Sequence, residues 1–473
     1  MGILNEAWLQ VVATAVGTLM AVSNGMSYGW TSPMVPYFTG NTTHILITHH
    51  QGELLETMYL YGAAVGLPSS ILVVNRYGRK SSMILSSLVG CICWIMILCT
   101  YNLYVVYVAR FMAGVAGNMV FIGAPMYIAE IAEPQIRGFL SASIYTMQLL
   151  GFVLVYSAGT ILPFYVVPTI GIILTTTEVV FFPFMPESPY FYVYTNKFNE
   201  AARALTRLRS KRSNIDKEID EIKLAIERQK REKGRLQDMI LIRSNRYALM
   251  VMLLLNTSEH CVGISVILMN LHLILKEADS AYMSSSMAGI LFSVIMLLSA
   301  TTASFFMDRF GRKSLLITSG LLTGIALTIM TVYFQLKFLG YDVTSISWIP
   351  IVCVMSYAAA FKLGLGIVPI VVTAEIFSAK VKALGMTIAD LFYVFPAIAS
   401  ISIYTTFVDN YGIHVPFYVF SVSSFVAVGL IYWLVPETKG KTLEEIQLML
   451  KGHHKIEVDE QQGQNALKNL IVT

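Results

Sequence analysis

Among the ionisable residues inside long apolar stretches of this chain, four are candidates for function: Glu259, His260, Lys362 and Asp390. A charge at membrane depth costs roughly 3 kcal/mol or more unless it is paired or hydrated, so such residues indicate function. Three interpretations stay open. Lys362 pairs with an acid and only ties two segments together, or these side chains contact a polar or charged solute, or Glu259 or Asp390 titrates beside His260 and couples protons to the process.

Two short basic boxes carry a second set of charges, and each directly follows an apolar segment. The boxes read Asn-Arg-Tyr-Gly-Arg-Lys at 75–80 and Asp-Arg-Phe-Gly-Arg-Lys at 308–313. Each half of the chain also has a glutamate followed at the same interval by a base, at Glu130 and Arg137 and at Glu375 and Lys382. One half of the sequence therefore repeats the other, which is typical of membrane proteins built from two related bundles.

The arginines of the boxes can bridge to carboxylates and to the carbonyl ends of neighbouring helices. The acids available at the ends of apolar segments are Glu130, Glu187, Glu375 and Glu437. Charge clusters of this kind predict a latch that holds two bundles closed on one face and releases them when that face opens. The alternative is that the arginines only set the orientation in the membrane.

The composition predicts a membrane protein. The chain has 473 residues, is 55% apolar and 13% charged, and has a mean hydropathy of +0.64, which leaves too few polar groups to cover a soluble surface. Continuous rather than alternating apolar runs favour helices over a β-barrel. Twelve runs are long enough to cross a bilayer. They are 8–33, 54–75, 81–101, 103–129, 139–162, 167–185, 247–275, 285–307, 314–336, 347–376, 383–408 and 414–435.

The positions of the basic residues predict the orientation. Lysines and arginines concentrate in loops on one side, above all in 186–246, which places both termini and this loop in the cytoplasm. The tripeptide Asn41-Thr42-Thr43 then lies in an outward loop and predicts glycosylation at Asn41, unless it is a chance match. The net charge of +4 is thus a topology signal rather than an indication of nucleic-acid binding.

The plan is two six-helix bundles, 1–185 and 247–435, with a linker at 186–246 and a tail at 436–473. Isoleucines recur at helical spacing within the linker and predict amphipathic helices, the alternative being a flexible connection. They are Ile215, Ile219, Ile222 and Ile226.

No cofactor is expected. All five cysteines lie in apolar runs, so no disulfide framework is implied, and a phosphate-binding loop is absent. The outer-loop histidines His44, His49 and His50 are read as a solvated loop rather than a metal site. The expected partners are the lipid bilayer and a small solute, with no nucleic acid and no obligate protein partner.

Several further motifs make the chain similar to the sugar porter family of the major facilitator superfamily. Within that family, the string at 130–138 most resembles insect facilitated trehalose transporters. The motifs are Arg110-x-x-x-Gly114-x-x-Gly117, Pro125 to Glu130 with Arg137-Gly138, Pro186-Glu187-Ser188-Pro189, Gly364-x-Gly366-x-x-Pro369, Glu375-Ile376-Phe377, and Pro436 to Ile446.

The resemblance implies alternating access by the rocking of two bundles around a central site. It also implies gating roles for Arg76, Arg79, Glu130, Arg137, Glu187, Arg309, Arg312, Glu375 and Glu437. Two gating positions depart from the family pattern. Asn75 replaces an aspartate and Lys382 replaces an arginine, and both changes should loosen the latch because they remove a charge or a planar bidentate contact.

The binding site departs further from the family. Where the family carries Gln-Gln-x-Ser-Gly-x-Asn in helix 7, the stretch 259–265 keeps only the glycine, so most amide contacts to a hexose are absent. The cavity candidates are Tyr145, Gln148, Glu259, His260, Ser265, Asn270, Met296, Lys362, Ile370, Asp390 and Tyr393.

The stretch 23–30 of the first run contains no acid, whereas proton-coupled members of the family usually carry one there. The resemblance therefore favours a uniporter of a sugar, a hexose or a disaccharide such as trehalose, in the plasma membrane, without covalent chemistry. Two alternatives remain: a transporter of another polar solute, with or without protons, and a sensor that binds sugar but does not transport it.

Overall fold

The computed structural model describes residues 8–40, 43–209, 214–231, 236–377, 381–441, 445–446 and 449–450. Over these ranges the regular structure is helical and contains no strand. Twelve helical segments are long and apolar enough to cross a membrane, and they are numbered here as spans 1 to 12. The predictions of an all-α membrane fold and of twelve spans are confirmed.

The first half of the chain contains spans 1 to 6. Span 1 consists of two helices, a third helix follows it directly, and each of spans 2 to 6 consists of one main helix. The helices are α1 (Trp8–Gly17) and α2 (Leu19–Gly29) in span 1, α3 (Thr31–Phe38) after it, then α4 (His49–Tyr77), α5 (Arg79–Cys99), α6 (Leu103–Ile131), α7 (Pro134–Ile161) and α8 (Val166–Phe181) in spans 2 to 6.

The linker folds as four helices, α9 (Pro189–Tyr194), α10 (Phe198–Leu208), α11 (Ile215–Arg231) and α12 (Leu236–Leu241). Ile219, Ile222 and Ile226 are buried in a small core of their own. Arg209 joins this core to the first half, because its Nη2 contacts Glu218 Oε1 at 2.7 Å and its Nη1 donates to the Ile131 carbonyl, also at 2.7 Å.

The second half contains spans 7 to 12 and repeats the plan of the first. Spans 7 and 10 are each divided into two helices. The helices are α13 (Arg243–Cys261) and α14 (Ile264–Ala278) in span 7, α15 (Ser285–Phe310), α16 (Arg312–Phe338), α17 (Ile349–Leu363) and α18 (Val368–Ile376) in spans 8 to 10, then α19 (Lys382–Tyr411) and α20 (His414–Leu434).

The two basic boxes form matching turns. Gly78 between α4 and α5 has φ +100°, and Gly311 between α15 and α16 has φ +92°, a backbone region that glycine enters without steric cost. Both turns lie on the same side of the molecule as the linker, and this side is called the box face below. By the orientation predicted above, the box face is cytoplasmic.

The division of span 7 was not predicted, since the sequence suggested one continuous run over 247–275. Gly263 stands in the left-handed conformation, with φ +81°, and ends α13. A carbonyl released by this break is satisfied, because Tyr357 of span 10 donates its hydroxyl to Val262 O at 3.0 Å. Span 1, the equivalent segment of the first half, is also interrupted.

Glycines let the helices of the first half cross at backbone contact. A Cβ on Gly62 of span 2 would lie 1.8 Å from the Phe111 carbonyl oxygen in span 4, and a Cβ on Gly25 of span 1 would lie 2.0 Å from the Gln148 carbonyl oxygen in span 5. Close approach through small residues is a main source of helix association in membranes, where lipid is as apolar as a leucine side chain.

We predict that Gly62→Ala lowers the melting temperature of the detergent-purified protein, because a methyl group there meets backbone that cannot rotate away. Overpacking of this kind costs of order 1–3 kcal/mol. The matched control is Gly429→Ala in span 12, where an added Cβ meets nothing within 4 Å. Equal melting temperatures for the two variants would contradict this packing.

Candidate functional site

The centre of the molecule is a polar region between the two halves. Tyr393 of span 11 lies within electrostatic range of Tyr28, Tyr145 and Glu259, which come from spans 1, 5 and 7. Tyr145 and Tyr393 are nevertheless 38% and 39% exposed. Since groups from both halves surround it, the exposed ring of Tyr393 faces a space between the halves, and its role in binding a solute stays a prediction.

A chain of contacts crosses this space. The Tyr28 hydroxyl and Ser265 Oγ share a hydrogen bond of 3.0 Å, and Ser265 Oγ and His260 Nδ1 share one of 2.9 Å. The His260 ring packs edge-on against Tyr393, with 4.4 Å between ring centroids. The break at Gly263 makes this possible, because it brings His260 of α13 and Ser265 of α14 together.

Glu259 and Lys362 also lie in this region. Glu259 is 5% exposed, Lys362 is half-buried, and the two interact electrostatically. Each stands in the last turn of a half-helix, α13 or α17, next to the break of its span. Asp390 is in α19, but its side chain lies outside the part of the chain that the structure describes.

The half of the interface away from the box face is closed by hydrogen bonds between the two halves, called here the outer contacts. All of them join α14 of span 7 to the first half. They are Ser32 Oγ with His272 Nδ1 (2.7 Å), Thr31 Oγ1 to Met269 O (3.4 Å), Tyr156 hydroxyl to Leu268 O, and Asn270 Nδ2 to Glu56 Oε2 (2.8 Å).

A cavity of about 460 Å³ adjoins the outer contacts. Its lining includes Glu53 and Glu56 from span 2, Asn270 from span 7, and Lys337 and Tyr404 from spans 9 and 11. Asn270, a predicted cavity residue, thus lies at this outer cavity and not beside Tyr393.

At the box face, the first half carries an ion-pair cluster. Arg79 Nη2 contacts Glu130 Oε1 at 2.8 Å, and Ser188 donates its hydroxyl to the other oxygen of Glu130. The Lys80 backbone N–H donates to Glu187 Oε1 at 3.1 Å.

The second half repeats this cluster. Arg312 Nη2 contacts Glu375 Oε1 at 3.0 Å, and Thr438 Oγ1 donates to Glu375 Oε2 at 2.6 Å. The Lys313 N–H donates to Glu437 Oε2 at 3.0 Å. Each cluster joins helices of its own half. Among the described residues no ion pair crosses between the halves at the box face.

The two glutamates that cap the box turns differ in acidity. Burial raises the pKa of Glu187. Burial also acts to raise the pKa of Glu437, but backbone N–H donors from Lys439, Arg312 and Lys313 outweigh it, so the net shift is downward.

The other predicted gating residues make fewer contacts. Arg137 donates Nη2 to Ala132 O at 3.2 Å and, within the described ranges, contacts no acid. Asn75, Arg76 and Arg309 are exposed, and the side chain of Lys382 lies outside the described residues. Their gating roles stay predictions.

The remaining candidate cavity residues differ in their exposure. Ile370 is 37% exposed, and Gln148 is half-buried on span 5. Met296, by contrast, is only 1% exposed and packs in the main apolar core. Asn41 lies outside the described residues.

His44 lies in the outer loop and is half-buried there. Its ring packs among Tyr37, Phe38, Tyr101 and Phe164, and burial lowers its pKa. Donor atoms of His50, Glu53 and Asp409 lie within 4.8 Å of one another, but an exposed cluster of this kind does not by itself define a metal site.

Sequence reasoning missed Glu56, His272 and Glu178. All three are buried ionisable residues inside spans. The signal was present, because Glu56 and Glu178 fall within the predicted runs 54–75 and 167–185, and the argument applied to Glu259 covers them equally. Glu178 accepts the Met20 N–H at 2.7 Å beside the interruption of span 1, which gives it a structural role.

Comparison with known proteins identifies relatives of this chain. The profile of the family "Sugar (and other) transporter" matches residues 10–450. The facilitated trehalose transporter Tret1 of Drosophila virilis is 26% identical over 94% of this chain and 49% of its own length, and that of Bombyx mori is 27% identical over 94% and 87%. The chain thus spans about half the length of the Drosophila relative.

Solved structures show the same fold. The xylose transporter XylE from E. coli in its inward open conformation superimposes with a TM-score of 0.77 at 19% identity, over 93% of this chain and 99% of that one. The partially occluded inward open conformation gives a TM-score of 0.72 at 20% identity, over 92% and 99%. The predicted major facilitator fold is therefore confirmed, and the chain belongs to the sugar (and other) transporter family.

Proposed function

We propose that the protein is a facilitative transporter that carries a sugar across a membrane by alternating access. The observation that carries this proposal is the unequal state of its two faces. The outer contacts join the halves away from the box face, whereas the charge clusters of the box face each stay within one half. This is the arrangement expected when the central site is open toward the box face.

The outer contacts are suited to open and close. Each is a hydrogen bond whose net contribution is about 1 kcal/mol, so a bound solute can shift the balance between the two states. Because all of them use α14, movement of this one half-helix breaks them together. The break at Gly263 gives α14 that freedom, since the helical conformation is interrupted between α13 and α14.

A sugar is favoured as the solute by the relatives, whose names specify trehalose. Uniport is favoured by span 1, which has no acid over 23–30 and in which Ser23 and Asn24 are already bonded within the first half. Trp94 Nε1 donates to Ser23 Oγ at 2.8 Å, and the Tyr59 hydroxyl donates to Asn24 Oδ1 at 2.6 Å. The plasma membrane, with the box face in the cytoplasm, is the location that fits the orientation of the basic residues.

The direct test is uptake of labelled trehalose and glucose by proteoliposomes containing the purified chain, with and without a pH gradient. We expect saturable uptake of at least one sugar that the gradient does not change. Uptake that requires an acidic exterior would instead indicate proton coupling. Sugar binding without flux would indicate a sensor and would overturn the transport proposal.

We predict that Arg137→Ala reduces uptake about tenfold or more, the effect of roughly 1.4 kcal/mol, and leaves the melting temperature unchanged. Arg137 contacts only a backbone carbonyl in this conformation, so its proposed partner forms when the box face closes. Arg79→Ala is the comparison, because it breaks a formed ion pair and should also lower the melting temperature by an amount equivalent to about 3 kcal/mol. Uptake unchanged in Arg137→Ala would end the latch role.

We predict that Asn270→Ala opens the outer face, because it leaves the buried Glu56 carboxylate without its hydrogen-bond donor when the contacts close. The measurement is labelling of Met269→Cys, in a cysteine-free background, by an impermeant maleimide applied to that face. Labelling should accelerate in Asn270→Ala. Asn256→Ala is the control, since Asn256 bonds Ala389 O within the second half at 2.8 Å. Equal acceleration by both variants would refute the assignment.

A further inference from the structure

Two charged side chains near the centre of the molecule have no hydrogen-bonded or ion-paired partner in the part of the chain that the structure describes, although Lys362 Nζ lies 5.6 Å from the centroid of the neighbouring Phe361 ring. Glu259 is 5% exposed, yet among the described residues its carboxylate accepts no hydrogen bond and forms no ion pair. Lys362 likewise has no hydrogen bond or ion pair over the described ranges. The two sense each other's charge but do not touch. A simple ion pair that ties span 7 to span 10 is therefore not what this conformation contains.

The helix ends make the unpaired state of Glu259 more costly. The C-terminal end of a helix carries partial negative charge, which favours a cation and disfavours an anion. Glu259 stands in the last turn of α13, so its own helix repels the carboxylate, while Lys362 in the last turn of α17 is favoured. A buried carboxylate in this setting is stable as an anion only when hydrogen-bond donors reach it, and the described residues supply none, so a bound solute is a fitting source of such donors.

Neutral polar groups and rings lie near Glu259. Tyr28 and Tyr393 come within electrostatic range of Glu259, and Ser265 and His260 complete the contact chain between these rings. The Nε2 atom of His260 is buried and lacks a partner among the described residues. Hydroxyls and a ring nitrogen of this kind match the hydroxyl groups of a polyol, which can each donate and accept.

We propose that Glu259 and Lys362 form a charged dyad that binds a neutral polyhydroxylated solute, with Glu259 accepting from one hydroxyl and Lys362 donating to another, and that the dyad excludes solutes with a net charge. This inference rests on the proposed function and specifies its substrate class. A carboxylate and an ammonium together supply the acceptor and the donor that a single amide side chain would supply, in charge-assisted form.

The exclusion follows from the balance of charge. A cationic solute can pair with Glu259 but is repelled by Lys362, and an anionic solute can pair with Lys362 but is repelled by Glu259. Either solute therefore leaves one member of the dyad opposed and without a partner. A zwitterion satisfies both charges but leaves the surrounding hydroxyls without partners. A neutral polyol satisfies both sets of groups.

The experiment compares four forms of the full chain: the unaltered protein, Glu259→Gln, Lys362→Gln and the double variant. The probes are glucose and trehalose, the cation glucosamine, the anion glucuronate and the zwitterion alanine. The measurement is the melting temperature of the purified protein as a function of probe concentration, from which the affinity for each probe is obtained. The double variant guards against misfolding, because it removes both charges and leaves neither one unpaired.

We expect the unaltered protein to bind a neutral sugar more tightly than either charged analogue. Each single variant should bind that sugar about tenfold more weakly, the loss of one charge-assisted hydrogen bond. Lys362→Gln should gain preference for glucosamine, and Glu259→Gln should gain preference for glucuronate. The double variant should bind the neutral sugar weakly and prefer neither charged analogue.

Glu178→Gln is the control. Glu178 is fully buried and bonds a backbone N–H in span 1, so this variant removes a buried carboxylate elsewhere and should keep the original order of preference. If both single variants bind sugar with unchanged preferences, the dyad is overturned and the proposed function stays intact. The same conclusion holds if alanine binds more tightly than sugar while sugar uptake remains measurable. Failure of the unaltered protein to bind any sugar would overturn both the dyad and the proposed function.

Discussion

The left-handed turn at Gly263 is the constraint on which the centre of the molecule depends. It divides span 7, so that Glu259 and His260 stand in the last turn of α13 while α14 bonds to the first half. A Cβ at this position would lie 2.8 Å from the Phe420 ring, and the positive φ would strain any other residue. Both the polar centre and the closed outer contacts follow from this one backbone conformation.

The duplicated charge clusters give the two halves their rigidity. In each half an arginine of the box, a glutamate at the end of span 4 or 10, and the segment after span 6 or 12 are held together by ion pairs and hydrogen bonds. Under the proposed alternating access, halves held together in this way rock as bodies, because the bonds that break lie at the interface rather than within a half. The basic residues that predict the orientation of the chain in the membrane therefore also hold each half together.

The polar groups inside the membrane divide into two kinds. Glu178, Asn24 and Asn256 are bonded within one half and complete its structure. Glu56 is bonded across the halves, and Glu259 and Lys362 are bonded to nothing described. Since an unsatisfied charge is costly in a bilayer, the groups without partners within their own half are the ones that a change of state or a solute must satisfy.

The sequence by itself determined the twelve spans, the duplication and the linker helices, because apolar length, repeated motifs and helical periodicity are local properties of the chain. It also placed Arg79 near Glu130 and Arg312 near Glu375, since those motifs stand at helix ends on one face. Only the tertiary structure decided that α13 and α14 are separate, that Asn270 bonds Glu56, and that Glu259 and Lys362 remain apart. These features depend on how helices that are distant in sequence pack against each other. The spacing of residues along the chain does not specify how far apart such helices lie in space.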